Sequence, residues 1–133
     1  MQKVKTKKSS SDILMINTAI KSFFVASCVD GILKCEFFDY MEQAEKIADI
    51  TKNLIKDFTA EKKILVINVG PGSLTGTRIG CAFASGLSIV FDEIYAINSF
   101  MLFLNDAKNG KFEYLAISGK KKQPLCLRGK PSL

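Results

Sequence analysis

The sequence predicts an α/β protein of order βββαβαβ(α), a mixed sheet with helices on its faces. Three observations carry this: two apolar runs joined by Asp30-Gly31, a switch to helical spacing from Ala44, and a glycine-rich loop between an apolar run and a second helix. The 133 residues, 47% hydrophobic and 24% charged, suit one domain with a core of its own and leave no room for a second of ordinary size.

Ile13–Asn17 (ILMIN) reads as a short buried strand. Phe23–Val29 and Ile32–Phe38 read as a hairpin, because the two residues between them, Asp-Gly, accept the positive φ of a type I′ turn. Ala44, Ile47, Ala48, Thr51, Leu54, Ile55 and Phe58 then follow the spacing of an amphipathic helix, with Glu45, Lys46, Asp49, Lys52 and Lys56 on the other face. Ile64–Val69 is the next strand. After the loop at 70–76 a helix runs from about Thr75 to Ile89, Ile94–Ile97 is a further strand, and Ser99 caps a short helix through Leu104. Phe112–Ser118 and Leu125–Leu127 close the chain as a hairpin.

The formal charge of +6 resides at the ends. Residues 1–11 and 119–133 hold nine basic residues and no acid, so the 12–118 body carries ten basic residues against all 13 acids and is net −3. The ends read as solvated, disordered basic tails, or for the second a final strand, around a mildly acidic lobe. The functional alternative for them is salt-sensitive phosphate contact. With no histidine, the usual neutral-pH acid/base and the commonest zinc ligand are missing. Cys28, Cys35, Cys81 and Cys126 form no CxxC pair, and Cys28, Cys81 and Cys126 sit in apolar runs, which reads as small buried hydrophobes in a reducing compartment. The least charged stretch, Ile79–Phe91, is 13 residues and broken by glycine and serine, too short to span a bilayer. These features point to a cytoplasmic protein.

The segment Gly70-Pro71-Gly72-Ser73-Leu74-Thr75-Gly76-Thr77-Arg78 lies where exposed N–H groups and a helix dipole favour an anion. Gly70, Pro71, Gly72, Ser73, Thr75, Gly76 and Arg78 therefore form a candidate nucleotide or anion loop. A P-loop would need Lys and Ser/Thr where Thr77-Arg78 stands, and a dinucleotide fingerprint would need glycine at Thr75. The alternative is a tight turn with a close-packed helix start, and spacing leaves both open. Gly76, Gly80, Ala84 and Ser88 recur every four residues as a small-residue ridge, which packs either on the chain's own helix or sheet or on a partner helix.

The element order resembles the RNase H-like, actin-like (ASKHA) fold. GPGSLTGTRIG (Gly70–Gly80) and the helix ending in Gly86-Leu87 resemble the signature of the bacterial TsaB (YeaZ) family, and ILMINT resembles that family's first strand. The resemblance covers the 12–118 lobe. It implies a noncatalytic partner subunit that binds and activates a TsaD-type catalytic subunit, with a TsaE-type ATPase in the full complex, to place threonylcarbamoyl on the adenosine beside the anticodon of tRNA. Contact with tRNA would be indirect. The resemblance also implies no catalytic or metal-ligating residue here, no cofactor held by the isolated chain, ATP or ADP at the joint interface, and a homodimer when isolated. Its interface helices map onto Ala44, Ile47, Ala48, Thr51, Leu54 and Ile55, and onto Gly76, Thr77, Gly80 and Ala84.

Two positions depart from the actin-like pattern. The first-strand carboxylate that actin-like ATPases place near metal and phosphate is Asn17 here, and the serine expected after Thr18 is Ala19. A neutral amide supplies no charge to a cation. The family's chains also continue into a second lobe, whereas this resemblance covers only the first. The remaining alternatives are a small nucleotide- or phosphate-binding protein using Gly70–Arg78 and a nucleic-acid module using the basic tails.

Overall fold

The computed structural model describes residues 11–39, 43–103, 114–117 and 125–128. Within them lie β1 (Ser11–Asn17), β2 (Phe23–Val29), β3 (Ile32–Phe38), α1 (Gln43–Ile55), β4 (Lys62–Asn68), α2 (Leu74–Leu87), β5 (Glu93–Ile97), a 3-10 helix (Ser99–Phe103), β6 (Tyr114–Ile117) and β7 (Leu125–Arg128). The basic-tail reading concerns residues 1–11 and 119–133, which lie almost wholly outside these limits, as does the side chain of Ala44.

Five strands form one mixed sheet in the order β3-β2-β1-β4-β5. β1, β2 and β3 are antiparallel neighbours, while β4 runs parallel to β1 and β5 parallel to β4. The β2–β3 turn has φ of 51° at Asp30 and 77° at Gly31, as the Asp-Gly pair requires. α1 carries the chain from β3 at one edge past β2 and β1 to β4, and α2 carries it on to β5, the parallel neighbour of β4. β6 and β7 pair antiparallel as predicted, but as a separate two-stranded sheet.

The apolar side chains explain the layering. Leu14, Ile16, Val25, Leu65 and Ile67 point to one face of the sheet, where Ile47, Ile50 and Leu54 of α1 and Ala84 of α2 complete the buried core. Both α-helices therefore share one face. Phe58 and Phe91 close an end of this core edge-on, with ring centroids 6.2 Å apart, and Phe23 meets Phe38 at 6.1 Å. The Asp12 carboxylate, itself buried, accepts the N–H groups of Thr59 (2.7 Å) and Ala60 (2.8 Å) and so ties the approach to β4 onto β1.

α1 ends at Ile55 rather than Phe58, because Phe58 N–H bonds to the Ile55 carbonyl (2.9 Å) in a tighter turn. The segment after β5 is a 3-10 helix, not an α-helix. Cys28 and Cys81 are half-buried, in line with their apolar runs, and Cys35 is exposed on β3. Partial desolvation of its sulfur against the strand, and secondarily the charge of Glu36, push the Cys35 thiol up from its ordinary pKa, which disfavours the reactive thiolate.

Candidate functional site

The carboxyl ends of β1 and β4, the loop 70–76 and Ser99 meet at one end of the sheet, the end at which open α/β sheets bind ligands. β1 and β4 deliver matching residues there: ILMIN pairs with ILVIN in register, so Asn17 and Asn68 end neighbouring strands. Both amides are buried. Asn68 Nδ2 donates to Asn17 Oδ1 (2.9 Å) and to Ser99 Oγ (3.0 Å), while Asn68 Oδ1 accepts the Gly70 N–H (3.0 Å). Asn17 Nδ2 in turn donates to the carbonyls of Ile20 (3.3 Å) and Ser22 (3.4 Å).

These bonds turn the glycine-rich segment inward. Gly70 has φ of 102°, a conformation suited to glycine, and the Gly70-Pro71 peptide is cis. The Ser99 hydroxyl is placed to donate to the Pro71 carbonyl (2.7 Å), and the Ser99 N–H donates to the Gly70 carbonyl (2.9 Å). Gly72 lies against the β1–β2 loop so closely that a Cβ there would overlap the Ala19 carbonyl, which accepts the Ser73 N–H at 2.6 Å. Ser73 caps α2, its hydroxyl accepting from Gly76 N–H (3.0 Å) and its carbonyl from Thr77 N–H (2.9 Å). Thr18 locks the same turn to β1 by donating to the Gly76 carbonyl (2.5 Å).

Of the candidate anion loop, the N–H groups of Gly70, Ser73 and Gly76 are thus bound within the chain. Thr75 and Arg78 are exposed, and Pro71 and Ser73 are half-buried. These three backbone donors are committed within the chain and are not offered to a phosphate. The tight-turn reading, left open by spacing, accounts for every one of these bonds. Among the described residues, no three Cys, Asp or Glu side chains converge as a metal site, and no helix is long and apolar enough to cross a membrane.

The candidate interface residues separate into two groups. Gly76, Gly80 and Ala84 face inward: a Cβ on Gly80 would overlap the Thr18 hydroxyl and crowd Ile67. Of the small-residue ridge, Gly76, Gly80 and Ala84 thus pack on the chain's own sheet, one of the two packings that spacing left open, while Ser88 is exposed. Ile47, Thr51 and Leu54 are likewise buried in the core. Ile55 and Thr77 are half-buried and Ala48 is exposed. The outward surface of α2 consists instead of Leu74, Thr75, Arg78, Ala82 and Ser85, continuing into Ile89, 91% exposed. Arg78 is the one charged residue of α2.

Sequence reasoning assigned no role to Asn68, and Ser99 entered only as a helix cap. The repeated ILxIN of β1 and β4 was the available signal, because a polar residue ending two buried strands needs a buried partner.

No family model matches the chain, and no curated protein does. Solved structures do. YeaZ from Pseudomonas aeruginosa superposes with a TM-score of 0.67 at 17% identity, over 89% of this chain and 59% of that one. A second structure, described as an uncharacterized protein with similarity to peptidase YEAZ from Pseudomonas aeruginosa, gives 0.61 at 16% identity over the same shares. The chain has a YeaZ-like, RNase H-like fold and spans 59% of the length of these structures.

Proposed function

We propose that this chain is a noncatalytic partner subunit in tRNA threonylcarbamoyladenosine formation, docking on and activating a TsaD-type catalytic subunit. The observation that carries the reading is the loop at 70–77 within a YeaZ-like fold: the N–H groups of Gly70, Ser73, Gly76 and Thr77 hold the lobe together, and α2 presents a surface with a single charge outward. Small and apolar side chains flanked by one arginine suit a protein partner better than a phosphate. Asn17 fits this reading as well, because it is committed to carbonyls and to Asn68. In this proposal a TsaE-type ATPase joins the full complex, tRNA is contacted indirectly, and any ATP or ADP sits at the joint interface. A cytoplasmic location follows from the same reading.

The docking residues follow from exposure. Gly80 is inside, so Gly80→Arg would disrupt the lobe itself, whereas Ala82→Arg alters only the outward surface. Co-purification of the chain with the TsaD-type protein of the same genome tests the proposal. The expected result is stable pairing by the parent and loss of pairing by a folded Ala82→Arg variant. A folded parent that does not pair overturns it. ATP binding by the isolated chain, abolished by Arg78→Ala, would favour the nucleotide-binding alternative instead.

A further inference from the structure

β3 is an edge strand whose outer side no described strand covers. It is also unusually bare, with Ile32 62%, Leu33 71% and Phe37 66% exposed. Natural edges are normally shortened, bulged, covered or guarded by charged side chains, because a free row of backbone groups invites another strand, and the charges on β3, Lys34 and Glu36, are of opposite sign. β3 runs seven residues in unbroken register with β2.

The orientation of its free groups follows from the hairpin. A two-residue turn closes with a bond from the N–H of Ile32 to the carbonyl of Val29, so Val29 and Ile32 form a hydrogen-bonded pair. Such pairs alternate along an antiparallel ladder. Lys34 and Glu36 therefore turn their backbone groups toward β2, and Leu33, Cys35 and Phe37 turn theirs toward the open edge.

We propose that the β3 edge is a self-association surface, pairing antiparallel with β3 of a second copy of this chain about a two-fold axis at Cys35. Charge selects both the occupant and the register. Centred on Cys35, the pairing sets Lys34 opposite Glu36 of the other copy twice over and Leu33 opposite Phe37, with all seven residues overlapped. Centring on Lys34 or on Glu36 would put like charges face to face. A shift by one residue would send every side chain to the wrong face of the joined sheet. Lys34 keeps its 2.7 Å ion pair with Asp57, since an ammonium has three donors and both side chains are half-exposed. This surface is separate from the outward face of α2, and it does not depend on the proposed tRNA-modification role. A single added strand pair buries less than the roughly 1,600 Å² of a standard interface, so the association is reversible and concentration-dependent.

Sedimentation equilibrium of the full chain over a wide concentration range tests this. The expected result is a weight-average mass rising from one chain toward two. Cys35→Pro removes an outward N–H without touching the β2 ladder, and this variant is expected to stay folded and monomeric. Lys34→Glu and Glu36→Lys each place like charges opposite in a homodimer. Each alone is expected to be monomeric, while an equimolar mixture of the two pairs, because every contact between them is then attractive. A parent that remains monomeric at all concentrations, a Cys35→Pro variant that dimerises as the parent does, or a mixture no more associated than its components overturns the proposal. So does a dimer that Ala82→Arg dissociates and Cys35→Pro does not.

Discussion

At Asn17 the choice between an amide and a carboxylate is decided by what surrounds it. Its Nδ2 faces two carbonyls, those of Ile20 and Ser22, and its Oδ1 receives Asn68. Asn17→Asp keeps the bond from Asn68 but sets an acceptor against two acceptors. The expected loss is about 1–3 kcal/mol in urea unfolding, the usual penalty for leaving buried polar groups unpaired. A variant as stable as the parent would mean that the amide is not what holds the β1–β2 loop. Glu93 gives a second case, on the surface. The hydrogen bond from Lys62, and then that from Tyr95, hold its carboxyl below the usual carboxylate range, while Glu93 raises both Lys62 and Tyr95. Glu93 therefore adds stability above the carboxylate range and loses it as pH falls through its lowered pKa. Lys62 adds stability below the ordinary lysine range and loses it as pH rises through its raised pKa. The contribution is full in the neutral window between, and it is small because these groups are solvated. In Glu93→Gln the Tyr95 phenol is expected to ionise at lower pH than in the parent, a change read by ultraviolet difference titration.

Of the two helices only α2 carries glycines, and two of them allow a paired prediction of opposite sign. Gly80→Ala would gain helix propensity but drive a Cβ into Thr18, the residue that ties α2 to β1. The expected net cost is about 1–3 kcal/mol, typical of overpacking a close contact. Gly86, on the same helix, has open space where a methyl group would stand, with nothing within 4 Å, so Gly86→Ala is expected to stabilise by roughly 0.5–1 kcal/mol. Thermal unfolding of the two variants beside the parent checks both signs. Elements were legible in the sequence wherever one physical signal dominated. Asp30-Gly31 placed the hairpin to the residue, and helical spacing placed α1, because turn chemistry and amphipathic period are local properties. The direction of the α2 ridge was not legible. Small residues every four positions look the same whether the close neighbour is the chain's own strand or another protein, and only the position of Thr18 and Ile67 beneath Gly80 decides between them. The loop at 70–76 stayed ambiguous for a related reason: the N–H groups of Gly70, Ser73 and Gly76 look available until Asn68, Ala19 and Ser73 are found to occupy them.

Across the whole lobe, stability is graded from the middle of the sheet to its edges, and amide exchange should follow that gradient. β1 and β4 lie between other strands, and their inward side chains Leu14, Ile16, Leu65 and Ile67 are at most 4% exposed beneath both helices. Opening either strand exposes the core shared by α1 and α2, so their amides are expected to exchange only through global unfolding. β3 lies at one edge with six of its seven residues exposed, and it can detach with much less apolar area uncovered. Its inward-turned amides, Lys34 and Glu36, should show intermediate protection, and its outward-turned amides, Leu33, Cys35 and Phe37, should exchange nearly as fast as a free chain in dilute solution. Hydrogen exchange read residue by residue distinguishes these three classes. Raising the protein concentration then supplies an internal control: self-association through the β3 edge would slow Leu33, Cys35 and Phe37 selectively and leave β1 and β4 unchanged. Uniform protection along β3 at every concentration would mean that its outer edge is already covered within one chain, and the free-edge picture would fail together with the dimer built on it.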